Sequence, residues 1–349
     1  MASELPEIDG VDFGRLAEWM DGEGLPAGGI RNAESLIGGS QNILVRFERG
    51  GEAYVLRRPP VHKRKNSDET MRREARVLAA LAGSEVPHPA LRAACADEEV
   101  LGGAFYLMEP IDGFSAPTGL PELHANDPAT RHRMGCAVAE GAAAVGAVDY
   151  LAVGLDGFGK PEGYLERQVG RWWSQLESYS EFDGYAGPSI PDAEDVAKWL
   201  DAHRPTEWSP GVIHGDYHLA NVMYSRTSGE LAAIVDWELS TVGDPLLDIG
   251  WLVATWPDED GGGAGAVLVQ PWGGWPTSDE LVAAYGAKSS RSLDAIDWYV
   301  VLACYKLGII LEGTHARASA GKASSRIGDV LHAQTLGLFD KAAKRIAGG

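Results

Sequence analysis

Cysteine is scarce. Cys95, Cys136 and Cys304 are odd in number and widely separated in a chain of 349 residues. Such a set supports neither a disulfide framework nor a cysteine zinc site, and it suits a protein kept in a reducing cytoplasm. Long hydrophobic runs are missing as well. No stretch approaches the roughly 18 apolar residues of a membrane span, and the run from Trp298 to Tyr305 is far shorter. The opening residues, MASELPEIDG, are acidic and carry no apolar core, so no signal peptide is expected. Positive charge is in deficit: 30 Lys+Arg face 50 Asp+Glu, a net charge of −20. A surface of that sign repels nucleic-acid backbones and anionic membranes, so neither is an expected partner. A small anionic ligand in a local basic pocket remains compatible with it.

The chain does have the apolar content of a folded protein, 45%. Its length suggests two domains or one large two-lobed body. Asp12 caps a short amphipathic helix with Phe13, Leu16 and Met20 on one face. Ile43, Val45 and Phe47 alternate with polar neighbours, Gly50-Gly51 turns, and Tyr54 and Leu56 continue, which predicts a hairpin. Ser67 is positioned to cap a helix through Glu74, Val77 and Leu81, and strands are expected near Leu91–Ala96 and Ala104–Met108. Helices are expected from Asp127 to about Tyr150, near Tyr164–Tyr179, near Ala193–His203 and from Trp298 to Arg317. Val212-Ile213 and Leu231–Val235 read as short strands flanking a polar loop. Strands with one helix, followed by helices with a small hairpin, predict an α+β two-lobed protein divided near residue 108. Residues 1–108 hold 13 Lys+Arg against 17 Asp+Glu, or −4, and the remainder 17 against 33, or −16. The acidic surplus is therefore expected in the second lobe.

The chemistry-bearing stretch is His214-Gly215-Asp216-Tyr217-His218-Leu219-Ala220-Asn221, followed by Ile234-Val235-Asp236-Trp237-Glu238. Two short strands around such a loop would gather Asp216, Asn221 and Asp236 at one edge. A carboxylate and an amide oxygen there suit Mg²⁺, a hard ion that takes oxygen ligands. A second carboxylate could accept a proton from an attacking hydroxyl. Together these are the parts that phosphoryl transfer requires.

H-G-D-x-x-x-x-N followed by a strand and D-W resembles the catalytic core of the aminoglycoside phosphotransferase and choline kinase-like family, which shares its fold with protein kinases. The resemblance runs from about Ser35 to the C-terminal helices. It implies a small β-rich N-lobe (1–108) that binds nucleotide and a larger, mainly helical C-lobe (109–349) that carries catalysis and the acceptor. By that resemblance Asp216 is the catalytic Asp, Asn221 and Asp236 are metal ligands, and Asp248 braces the catalytic loop. Arg57, in Val55-Leu56-Arg57, stands where the family has a lysine on the α/β-phosphates, and Glu74 is its helix partner. Backbone around Glu109 and Ile111 would bind adenine, and Gly38-Gly39-Ser40-Gln41-Asn42 would cover the phosphates, with Ser40 and Asn42 contributing. ATP and Mg²⁺ are the implied cofactors, and a hydroxyl on a small molecule is the implied acceptor. Arg57 departs from the family lysine and presents a wider planar fork. Leu56-Arg57-Arg58-Pro59-Pro60 resembles instead the kinase-like domains related to those fused to acyl-CoA dehydrogenases. The covering loop also lacks G-x-G-x-x-G. A non-catalytic nucleotide-binding scaffold is the competing reading.

Other features read as structural. His214 and His218 have the spacing of a zinc pair, but their loop context favours bracing. Within the Gly- and Trp-rich loop Gly261–Trp275, residues Gly261–Ala266 satisfy a loose G-x-G-x-x-A without a preceding strand, so a mobile loop near the substrate cleft is expected rather than a dinucleotide site. The tryptophans read mostly as core or lobe packing, with an acceptor-pocket role open to some of them, and Lys306, Glu312 and Arg317 as structural charges on an apolar helix, with a substrate contact as the lesser alternative.

Overall fold

The computed structural model describes residues 5–36 and 42–348. The chain forms two compact units. The first comprises Met1–Asp112, Val153–Leu155 and Ala232–Ser240; the second comprises Gly113–Ala152, Asp156–Leu231 and Thr241–Gly349. A short segment from late in the sequence thus belongs to the first unit, and it carries Asp236.

The first unit is built on an antiparallel sheet. After α1 (Phe13–Gly22) come β1 (Arg31–Ser35), β2 (Ile43–Arg49), β3 (Glu52–Arg58), α2 (Ser67–Leu81), β4 (Leu91–Cys95), the single turn α3 (Glu98–Leu101) and β5 (Phe105–Met108). The strand order is β1-β2-β3-β5-β4. One sheet face carries Val45, Phe47, Tyr54, Leu56, Phe105 and Leu107, and α1 closes it with Leu16 and Met20. Each such side chain contributes about 1.5–3 kcal/mol by leaving water. Asp12 caps α1 by accepting from the backbone N of Gly14 and Arg15 at 2.9 and 3.0 Å. The β2–β3 turn needs its glycine: Gly50 has φ of 61°, and a Cβ there would meet Pro26 Cβ at 2.5 Å. The expected cap of α2 is displaced by one residue. Asn66 occupies the cap without a side-chain bond, while Ser67 Oγ accepts from Arg64 N at 3.0 Å and closes the turn ahead of the helix.

The second unit is mainly helical. In chain order it holds α4 (Glu122–Asn126), α5 (Pro128–Ala147), α6 (Gln168–Ser178), α7 (Ala193–Ala202), β6 (Gly211–Ile213) and β7 (Val222–Tyr224). β8 (Leu231–Ile234) leads from it into the first unit, and β9 (Thr241–Gly243), α8 (Leu246–Ala254), α9 (Ser278–Gly286), α10 (Ile296–Ser319) and α11 (Ser325–Gly348) complete it. α10 is apolar on nearly every side because it is the central helix, packed by α8, α11, α6 and α7.

Three strands escape the periodicity argument. β1 is mostly exposed on both faces, and β7 and β9 have three residues each. β6 pairs with β9, Val212 lying opposite Val242. The Gly261–Trp275 loop is tied down instead of lying open. Trp272 and Trp275 are buried against Trp256, with ring centroids 5.3 and 5.7 Å from it, and Gly265 N donates to Gln334 Oε1 at 2.7 Å. Among the described residues no helix is long and apolar enough to cross a membrane.

Candidate phosphotransfer site

In the first unit the sheet sets the position of Arg57. Arg57 on β3 is in register with Tyr106 on β5. α2 supplies Glu74 from within its apolar stripe, between Met71 and Val77–Leu78, so the carboxylate is buried. Arg57 Nε lies 2.9 Å from Glu74 Oε2, and Tyr106 Oη donates to the same oxygen at 2.7 Å. Arg57 Nη2 reaches Asp236 Oδ1 at 2.6 Å. Burial pushes Glu74 up to about 7, against the pull of Arg57 and Tyr106. Burial works against the Arg57 charge too, but Glu74, Tyr106 and Asp236 outweigh it and hold its pKa above the usual arginine value.

Asp236 follows β8 in a left-handed conformation, φ 67° and ψ 62°. Such backbone costs a non-glycine residue energy and needs surrounding support. Trp237 provides it: its indole Nε1 donates to Ile234 O at 3.0 Å, and Ser240 Oγ donates to Trp237 O at 2.6 Å. The result is a half-exposed carboxylate beside a buried guanidinium.

Asn42 lines a cavity of about 380 Å³ together with His62, Arg64, Ser67 and Glu238. Ser40 lies outside the described residues, as do Gly38, Gly39 and Gln41. Glu109 N donates to Ala90 O at 2.9 Å. Ile111 N has no partner among the described residues, and Pro110 between them has no N–H to offer.

The second unit holds the loop after β6. α8 fixes that loop through two residues one helical turn apart, which face the same way. Asp248 accepts from His214 N at 2.6 Å and Gly215 N at 2.9 Å. Trp251 Nε1 donates to Asp216 Oδ1 at 3.1 Å. Asn221 Nδ2 donates to Asp216 O at 2.9 Å and Asp216 Oδ2 at 3.0 Å, which leaves the Asn221 amide oxygen outside both bonds.

Each histidine braces the loop through Nδ1. His214 Nδ1 accepts from Asp216 N, and His218 Nδ1 accepts from Ala220 N at 3.2 Å. That tautomer places the His218 proton on Nε2, which lies 3.3 Å from Asp216 Oδ1. Burial alone would raise the Asp216 pKa. The His218 bond, the two histidines and Lys306 reverse that and hold it down to about 2. The carboxylate is ionised at any physiological pH.

Lys306 and Trp251 have parts in this arrangement that their sequence context hides. Lys306 Nζ sits 4.3 Å from the Trp251 ring centroid and 5.6 Å from that of Trp172, and it donates to Gly215 O at 3.4 Å. Burial lowers its pKa, and Asp216 and Asp248 oppose that. The one available signal was a lysine on a helix otherwise too apolar to need one.

Asp236 in the first unit offers a half-exposed carboxylate and Asn221 in the second an amide oxygen, each a hard oxygen donor of the kind magnesium takes.

Comparison with known proteins bears on the family and the fold. The model of the phosphotransferase enzyme family matches residues 34–281. A chicken acyl-CoA dehydrogenase family member 11 is 32% identical over 86% of this chain, and the chain spans 38% of that protein's length. A mouse acyl-CoA dehydrogenase family member 10 is 31% identical over 78% of the chain and 25% of its own length. Among solved structures, a Ralstonia eutropha protein provisionally described as an aminoglycoside phosphotransferase superimposes with a TM-score of 0.78 at 30% identity, covering 95% of this chain and 98% of its own. The fold is therefore the two-lobed protein-kinase-like one, with a β-rich N-terminal part and a helical C-terminal part. The chain belongs to the phosphotransferase enzyme family.

Proposed function

We propose that the protein is an ATP- and Mg²⁺-dependent phosphotransferase acting on a hydroxyl of a small molecule. The observation that carries the reading is the Asp216 carboxylate, ionised and fixed from three sides by Asn221, His218 and Trp251. A carboxylate held at about 2 is a weak base, so Asp216 serves chiefly to orient the acceptor hydroxyl and takes its proton late. A loose phosphoryl transition state asks for positioning more than for strong base catalysis. Arg57, held by Glu74, steadies the α/β-phosphates. The Glu109 carbonyl and the unpartnered Ile111 N–H form the acceptor and donor pair that adenine needs. Asn221 and Asp236 are assigned as metal ligands by resemblance, and the metal when bound would neutralise phosphate charge. Ser40 and Asn42 are assigned to the phosphate-covering loop by resemblance.

The buried cation of Lys306 beside Asp216 bears on the acceptor. It disfavours a polycation such as an aminoglycoside and favours a metabolic alcohol carrying an anion, such as a hydroxyacyl compound. The protein is assigned to the cytoplasm on its cysteine usage. The test is phosphate transfer from ATP across aminoglycosides, amino alcohols and hydroxyacyl-CoA compounds. Turnover confined to the hydroxyacyl set supports the reading, and preferential turnover of aminoglycosides overturns the acceptor assignment. ATP binding without turnover of any acceptor supports the scaffold instead.

A further inference from the structure

The geometry points to a transition-metal site between the two C-terminal helices, made by Glu312 and His315 of α10 and His332 of α11 and suited to zinc. It is independent of the phosphotransfer reading and uses none of the residues assigned there.

One ligand atom from each residue lies within 4.8 Å of the others. Glu312 and His315 are three apart on α10, so they share a helix face. α11 brings His332 to the same face, with Nδ1 2.7 Å from Glu312 Oε2 and its ring stacked on that of His315 at 4.6 Å between centroids. Gly328 lets the helices approach: a Cβ there would meet Ala318 Cβ at 2.6 Å and His315 Nδ1 at 3.6 Å.

Two observations separate this cluster from an ordinary ion pair. Glu312 is fully buried, a costly place for a carboxylate, and its hydrogen bonds come from Tyr185 Oη at 2.7 Å and His332. His315 Nδ1 is buried without a hydrogen bond among the described residues, and the nearest acid, Asp329 Oδ1, is 3.8 Å away. An orphaned imidazole nitrogen beside a buried carboxylate and a second imidazole is a His₂Glu donor set. Two imidazoles select zinc over magnesium, which takes oxygen ligands. Ligands about 2.0–2.1 Å from tetrahedral zinc stand roughly 3.3 Å apart, so small rotations close the set. The metal takes the place of the proton between Glu312 and His332, and that proton leaves to solvent. Exposed Asp329 or water completes the coordination. Tyr185 Oη, bonded to the other Glu312 oxygen, orients the carboxylate as an outer partner.

The experiment is calorimetric titration of the chelator-treated full chain with Zn²⁺, with Co²⁺ absorption as a second readout. We expect one saturable site per chain, visible tetrahedral Co²⁺ bands, and a rise in Tm with Zn²⁺. His315→Ala and His332→Ala should each weaken binding at least 100-fold, and Tyr185→Phe roughly tenfold. Cys136→Ser controls for the partly exposed Cys136–His132 contact at 3.7 Å and should leave binding unchanged. Circular dichroism establishes that each variant is folded. Should a histidine variant fail to fold, X-ray absorption of the wild-type zinc complex replaces it, and two imidazole ligands are expected. Absence of saturable binding, binding retained in both histidine variants, binding lost in Cys136→Ser, or an absorption spectrum with sulfur ligands would each overturn the proposal.

Discussion

Trp251 donates its indole hydrogen to Asp216 Oδ1 at 3.1 Å from 35 residues downstream, while its ring face carries the Lys306 ammonium at 4.3 Å. One side chain thus fixes the carboxylate by its edge and a buried cation by its face. Trp251→Phe separates the two duties, since it keeps an aromatic face and removes the N–H. A lost bond to a charged group is worth about 1.5–3 kcal/mol. We expect kcat to fall at least tenfold with little change in Tm. Unchanged kcat would show that the bond does not hold Asp216 in its working position.

Lys306 separates stability from activity. A buried cation is costly to desolvate, and an apolar replacement of similar volume is often neutral or stabilising. Lys306→Met should leave Tm unchanged or higher while raising KM for an anionic acceptor several-fold and leaving ATP affinity intact. A fall in Tm with unchanged KM would make Lys306 a structural residue.

Glu74 gives the account a pH dependence with a definite sign. Its folded pKa of about 7 lies above the ordinary value of 4.5. The protonated form is therefore favoured by folding. The stability it contributes is fully present below about 4.5 and is lost as pH rises through about 7. Activity runs the other way, because the ionised carboxylate is what holds Arg57. We expect an ascending limb in kcat/KM near pH 7 that Glu74→Gln abolishes, along with a flatter dependence of Tm on pH between 5 and 8. Asp216, held at about 2, contributes no limb in that range. A limb that persists in Glu74→Gln would assign it to another group.

Asp248→Ala tests the brace on the catalytic loop. It leaves the N–H groups of His214 and Gly215 without their acceptor, at about 1–3 kcal/mol for each one that stays buried. A Tm loss of about 5 °C or more is expected in a thermal melt, together with loss of turnover. A variant with wild-type Tm would mean that the loop finds another acceptor.

The fold was legible wherever a period was long enough to declare itself. Asp12 and the Phe13–Met20 face marked α1, the Val45/Phe47 alternation marked β2, and the apolar run after Trp298 marked α10. β1, β7 and β9 were not legible, because three residues, or five exposed ones, show no alternation. The loop from His214 to Asn221 could be read because a short local motif carries its chemistry. Trp251 and Lys306 could not be placed, since an apolar α8 and a nearly all-apolar α10 do not say which side faces the loop. Glu74 could be read from the sequence as a solvated helix residue, and only the resemblance pointed to Arg57, because that pairing depends on a strand register that only the sheet provides. Ser67 was read as a cap because its type fits, and the turn from Arg64 claimed its hydroxyl.

The most direct test is phosphate transfer from labelled ATP by purified wild-type protein and Asp216→Ala, with nucleotide binding followed by thermal shift in ATP and Mg²⁺. The account predicts transfer to a hydroxyl acceptor by the wild type, a loss of about 10²–10⁴-fold or more in the variant, and equal nucleotide-induced stabilisation of both. Retained turnover by Asp216→Ala would contradict it.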